Sequence, residues 1–292
     1  MKIRAREISK AFDDKKVLDR VSFDLEEGKI TGLVGRNGSG KTTLLKSMAG
    51  IYDMDGGSFS LDGEVLSKNP DIIKNIGFLP DSFDYFSYYS VKNIPNFYKT
   101  IYEDFDEEFF FREIKKQNFD PKRSVRTFSK GQKNILGLIT ILASRAKILL
   151  IDEILDGMDV LNKKEIVSYL IDAKEEARAI LASSHELDQL SGICDNILYL
   201  TVEGKLIDTS DARINKLKKA QLVFKDQVPS DLLDRLVVVS QIGRVATVLI
   251  NASDETFDKL IKRDDIIQYD ILSPKIEDYF YLEKGGMKNE EI

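Results

Sequence analysis

The stretch GRNGSGKT, Gly35 to Thr42, constrains this chain more than any other part of it. It satisfies the pattern G-x-x-x-x-G-K-[S/T] in full, a match that composition alone supplies in roughly one chain of this length in a hundred. Its glycines let successive backbone N–H groups turn inward around phosphate oxygens, and a helix starting near Lys41 adds the positive end of its dipole. The flanks agree. ITGLVG before the loop is a short apolar run, and KTTLLKSMAGI after it spaces its apolar residues as a helix does. Gly35, Asn37, Gly38, Ser39, Gly40, Lys41, Thr42 and Thr43 therefore form the expected phosphate cradle. Lys41 is long enough to reach β- and γ-phosphates, and Thr42 offers its hydroxyl to Mg²⁺.

A loop of this kind needs a carboxylate on the metal side, at the end of another strand. AKILLIDE supplies Asp152 for Mg²⁺ and, next to it, Glu153 to polarise an attacking water. The apolar runs in AKILLIDE and RAILASS read as strands buried on both faces, and a helix around Lys163 to Glu176 joins them. Strands alternating with helices predict an α/β domain with a mostly parallel sheet. Before it, KIRAREISKAF and VLDRVSFDLEEGKI alternate apolar and polar residues, as GSFSLDG and NIGFLP also suggest strands. From Asp81 to about Lys147 the pattern is helical and rich in Phe and Tyr. From about Asp211 the rhythm changes to β-α-β-β-α-β, the split, ferredoxin-like arrangement, with a last helix expected from Ser273 and a frayed end. The expected division is 1–210 for the nucleotide domain, with a helical part inserted at about 82–147, and 211–292 for a small α+β accessory domain.

Composition excludes several classes. No run approaches the ~18 apolar residues that cross a bilayer, and Met1 to Lys10 lacks the apolar stretch of a signal peptide. The single Cys194 rules out an intrachain disulfide and a cysteine metal cage, and reads as a small core residue. A formal net charge of −6 gives no basic field for nucleic acid, and none is expected as a partner. A cytoplasmic chain is expected.

Between the phosphate loop and Asp152 lies FSKGQ, Phe128 to Gln132. With it the chain resembles the nucleotide-binding subunits of ATP-binding cassette (ABC) transporters, whose signature is L-S-G-G-Q, over residues 1 to about 205. The resemblance implies a P-loop ATPase fold with a helical subdomain, and ATP and Mg²⁺ as ligands. Phe12 stands where the family stacks an aromatic on adenine. GMD ends in Asp159, like the family's D-loop. SSHE puts His185, the only histidine of the chain, where the family has a switch histidine that meets the γ-phosphate. Lys41, Glu153 and His185 are the implied catalytic set; Thr42, Asp152 and Asp81 the implied metal side. Two such cassettes, a homodimer or a heterodimer, would stack head to tail, each closing the other's nucleotide with Ser129, Gly131 and Gln132. A separate transmembrane permease would hold the chain at the inner face of the membrane.

The chain departs from the family at Lys130 and Phe128 of the signature, and Lys130 is expected to face solvent. Asp81 stands where the family has glutamine, which hints at export. The aromatic stretch FDYFSYYS follows that position, and Tyr88 and Tyr89 are expected to meet the permease. The competing reading is a soluble ABC ATPase that works on a protein assembly or on nucleic acid. A non-hydrolysing cassette is disfavoured by the presence of both Glu153 and His185.

Overall fold

The computed structural model describes residues 1–190, 192–208, 217–233, 236–251 and 254–272, with 274 and 278. It divides into two compact units, Met1–Asp208 and Thr209–Ile292. The helix expected from Ser273 and the frayed end lie outside the described residues.

The first unit opens with two long antiparallel strands, β1 (Ile3–Phe12) and β2 (Lys15–Leu25), then β3 (Ile30–Val34) and helix α1 (Lys41–Met48). β4 (Gly56–Leu61), β5 (Glu64–Val65) and β6 (Ile76–Leu79) follow. The helical stretch holds α2 (Ile94–Tyr98), α3 (Glu107–Lys116) and α4 (Lys130–Ala143). The chain returns through β7 (Ile148–Ile151), α5 (Val160–Glu175), β8 (Ala179–Ser184), α6 (Leu187–Leu190), β9 (Asn196–Leu200) and β10 (Leu206–Asp208).

Two sheets result. One is antiparallel, β2-β1-β4-β5; the other runs β10-β9-β3-β8-β7-β6 and is parallel except at β10. β1 and β2 alternate because only one of their faces is covered: Ile3, Ala5, Ile8, Leu18 and Val21 point inward. They pack with Leu44, Leu45 and Met48 of α1 and with Leu33, Ile148, Leu150 and Leu181 of the parallel sheet. The parallel strands β3 and β7 are buried throughout, with Thr31 of β3 their one polar residue, because both of their faces are covered. Each side chain of this size stabilises the fold by about 1.5–3 kcal/mol on burial. α4 is buried along its length from Asn134 to Ala143, which its apolar run NILGLITILA anticipates.

This order fixes the site. β3, β8 and β7 are adjacent and parallel, so their C-terminal ends emerge side by side. β3 leads into the phosphate loop, β7 into Asp152 and β8 into His185, at the edge where open α/β sheets bind ligands.

The second unit contains β11 (Leu217–Phe224), α7 (Ser230–Leu233), β12 (Val237–Ile242), β13 (Val245–Asn251), α8 (Asp254–Ile261) and β14 (Ile266–Leu272). Its sheet is antiparallel in the order β12-β13-β11-β14, the split βαβ topology. Ala220, Leu222, Phe224, Val248, Phe257 and Leu260 make its core. Cys194 is half-buried rather than fully in the core. Its sulfur packs beside Gly32, and burial pushes the thiol up to about 12. No helix among the described residues is long and apolar enough to cross a membrane.

Candidate functional site

The loop between β3 and α1 is shaped by Gly40, at φ 103°, where a side chain would be strained and a Cβ would sit 2.9 Å from Val17. Gly40 caps α1 without any side-chain hydrogen bond, so the helix's first N–H groups keep no side-chain partner there. Ser39 Oγ lies buried inside the loop and has no hydrogen-bond partner among the described residues. An orphaned buried donor beside open helix amides suits an anionic ligand such as a triphosphate. Asn37, Gly38 and Thr43 line the same turn and first helical residues.

Lys41 is only 4% exposed. Its Nζ donates to the carbonyl oxygen of Gly35 at 2.8 Å and pairs with Glu153 Oε1 at 3.1 Å. Thr42 Oγ1 donates to Asp152 Oδ2 at 2.7 Å, and Ser183 Oγ donates to Asp152 Oδ1 at 2.6 Å. The N–H of Glu153 donates to the same Ser183 hydroxyl at 3.0 Å. Burial pushes the Asp152 carboxyl up, against the two hydroxyl donors, and the charges of Glu153 and Asp81 add to the rise. Burial also pushes Glu153 up, but its contact with Lys41 outweighs that and holds it below the ordinary carboxylate value. Glu153 has a backbone φ of 44°, a left-handed conformation that costs a glutamate roughly 1–2 kcal/mol. Such strain is retained where surrounding contacts over-determine it, commonly at a functional site.

His185 directly follows β8, and its Nδ1 is 2.7 Å from Asp156 Oδ2. Glu153, Asp156 and His185 present ligand atoms within 4.8 Å of one another. Their donor types would suit a metal, but Lys41 already supplies Glu153 with a cation and Nδ1 is committed to Asp156. The atoms that fit Mg²⁺ are the hard oxygens of Thr42 and Asp152. Asp81 is exposed, yet close enough to Asp152 for its charge to raise that carboxyl.

At the start of α4, Ser129 and Lys130 are exposed and Gly131 and Gln132 are partly buried, while Phe128 of the signature is buried. Ser129 and Gln132 form a reciprocal capping box: Gln132 N donates to Ser129 Oγ at 3.3 Å and Ser129 N donates to Gln132 Oε1 at 3.1 Å. Gly131 allows α4 to approach α5, since a Cβ there would lie 2.7 Å from Asn162 Nδ2. Lys130 is exposed. Asp159 caps α5, accepting from the N–H groups of Leu161 and Asn162 at 3.0 Å each, and its backbone bond from Asn162 leads the causes that lower its carboxyl. Two further bonds tie α4 to its neighbours: Asn134 Nδ2 donates to the Ile154 carbonyl at 3.1 Å, and Lys133 pairs with Asp84 at 2.6 Å.

Phe12 is half-exposed at the end of β1, edge-on to Tyr52 with ring centres 5.5 Å apart, and Lys10 lies over its face. Tyr88 is 86% exposed, whereas Tyr89 packs its ring against Phe86 and Phe97.

The structure thus brings Lys41, Thr42, Asp152, Glu153 and His185 to one end of the sheet and keeps Ser129, Gly131, Gln132 and Asp159 on the first turns of α4 and α5. Two participants were missed by reading motifs: Ser183 and Asp156. The place of Ser183 at the end of β8, two residues before His185, signals the first. Asp156 carried no local signal beyond lying three residues after Glu153.

The comparisons with known proteins agree with this geometry. A family model described as ABC transporter matches residues 18–156. The chain is 30% identical over 292 residues to the ABC transporter ATP-binding protein YtrB of Bacillus subtilis, covering 98% of this chain and 99% of that protein. It is 26% identical to the bacitracin transport ATP-binding protein BcrA of Bacillus licheniformis, over 97% of each chain. A solved dimeric bacterial ABC transporter cassette overlays with a TM-score of 0.62 at 18% identity, covering 70% of this chain and 96% of that one.

Proposed function

This chain belongs to the ATP-binding proteins of ABC transporters, and on that premise we propose that it hydrolyses ATP to drive a separate membrane permease in the direction of export. The observation that carries the catalytic part is the 3.1 Å contact between Lys41 and Glu153. It joins the lysine of the phosphate loop to the carboxylate that would polarise water. A triphosphate offers Lys41 a stronger anionic partner, and Glu153, relieved of its ion pair, is then free to take a proton from water. Thr42 and Asp152, with Asp81 beside them, are the residues that would hold Mg²⁺, which when bound neutralises charge on the phosphates. His185, directly after β8, would meet the γ-phosphate.

The exposed start of α4 supports the second half of the mechanism. Ser129 is exposed and Gly131 and Gln132 are partly so, where a second ABC ATPase subunit could set its nucleotide against them. Phe12 is exposed enough to stack on a base. Tyr88 and its neighbours are the proposed permease contact. Export rests on Asp81 and on the similarity to BcrA, whose name records bacitracin transport. Cargo would be chosen by the permease. The chain would sit at the inner face of the membrane through that subunit.

Affinity purification of the full chain from detergent extracts tests the reading. A co-purifying protein with several apolar spans that raises ATP turnover is the expected result. An active ATPase accompanied only by soluble proteins or nucleic acid would overturn the transport assignment.

A further inference from the structure

Asp156 is 8% exposed and belongs to the turn between Glu153 and Asp159. A carboxyl that deep is costly unless something donates to it. Its Oδ2 lies 2.7 Å from His185 Nδ1, its carboxyl also lies against that of Glu153, and among the described residues its buried Oδ1 has no further hydrogen-bond donor. Burial raises the Asp156 carboxyl, and Glu153 adds to the rise, while the pairing with His185 opposes both; the proton of the Asp–His contact is assigned to the imidazole, the more basic group of the free pair by roughly 2.6 pKa units. An ionised carboxylate only accepts, so Nδ1 must be the nitrogen that carries the hydrogen. A neutral ring held this way keeps its lone pair on Nε2.

We propose that Asp156 is a positioning residue for ATP hydrolysis: by accepting from Nδ1–H it fixes the tautomer and orientation of His185 and leaves Nε2 as the nitrogen presented to the nucleotide. This rests on the reading of His185 as a participant in hydrolysis. The physical need is clear. His185 sits half-exposed at the end of a strand, where an unanchored ring would sample several rotamers and both tautomers. Orientation of a reacting group within a site is worth about 10²-fold in rate when it is lost by even an ångström. Asp156 also lies in the segment that contains Glu153 and Asp159, so the imidazole is tied to the carboxylate it must work beside and moves with that segment.

His185 is the only histidine, so the ring can be observed without assignment ambiguity. The full chain labelled with ¹⁵N-histidine is examined by NMR at about pH 8.5, roughly two units above the ordinary imidazole value. The expected wild-type spectrum shows Nδ1 protonated and Nε2 unprotonated. Asp156→Ala should move the ring toward the Nε2–H form that free imidazole side chains favour, and Asp156→Ser, whose hydroxyl is too short to span the contact, should do the same if the alanine variant folds poorly. Asp156→Asn keeps an accepting oxygen and should retain Nδ1–H. In steady-state kinetics, Asp156→Ala should lower kcat by about 10–10²-fold with KM for ATP within about twofold, and Asp156→Asn should recover most of the rate. An Nε2–H wild-type ring, a tautomer unchanged in both Asp156→Ala and Asp156→Ser, or wild-type kcat in those variants would overturn the proposal. His185→Ala separates the two readings: if it hydrolyses ATP normally, the role of His185 fails; if it is inactive while Asp156→Ala is not, only the positioning role fails.

Discussion

The phosphate end of the parallel sheet and the start of α4 treat their polar groups in opposite ways. At the sheet end, Lys41, Thr42, Asp152, Glu153 and Ser183 are bonded to one another across long stretches of sequence, and Lys41 and Asp152 are almost wholly buried. At the start of α4, Ser129 and Gln132 satisfy each other within four residues at a partly exposed surface, and Asp159 does likewise at the start of α5. The first arrangement is a machine closed within one chain. The second is a rigid, locally satisfied surface that needs nothing further from its own chain. The difference teaches where each kind of substitution acts: breaking the first leaves a buried charge unpaired, whereas breaking the second removes a cap and alters whatever surface is presented to a partner.

The largest effect should come from the closed cluster. Glu153→Gln should still bind ATP but lower turnover by at least about 10²-fold, the scale of losing a general base. Lys41→Ala should instead weaken nucleotide binding, by about 10–10²-fold for the loss of charge-assisted bonds to phosphate. Equilibrium binding of a fluorescent ATP analogue beside a phosphate-release assay distinguishes these, and wild-type turnover in Glu153→Gln would remove Glu153 from the chemistry.

Ser129→Ala sharpens the contrast. Loss of the capping box should cost about 1 kcal/mol in thermal unfolding. ATP binding to a single chain should stay within about twofold, while ATP-driven dimerisation of the Glu153→Gln background should weaken about tenfold. Sedimentation with and without ATP reads this, and unaltered dimerisation would mean that the start of α4 serves only its own helix.

Asp81→Asn should have the smallest effect. An exposed charge beside the metal side is screened, so ATP affinity should change by no more than about fivefold and basal turnover by less than about tenfold. A collapse matching that of Glu153→Gln would make Asp81 part of the closed cluster.

Much of this was legible in sequence because its signals are short-range. The phosphate loop is a local matter of glycines and helix amides, and the parallel strands announce themselves as apolar runs because both faces are buried. The tail's β-α-β-β-α-β rhythm anticipates its split βαβ sheet. Ser129 and Gln132 were legible only as signature residues; that they cap α4 reciprocally is what the structure adds. Tertiary structure alone decided which distant groups meet. Thr42 and Asp152 are 110 residues apart, and they touch because core packing sets β3, β8 and β7 side by side. His185 reaches Asp156 across 29 residues, and no periodicity marks that aspartate. The burial of Lys41 was equally beyond pattern, since Lys occurs on both sides of a surface. Periodicity records the face a residue turns to the core; which residues then share a pocket depends on strand order, and strand order is set by burial summed over the whole domain.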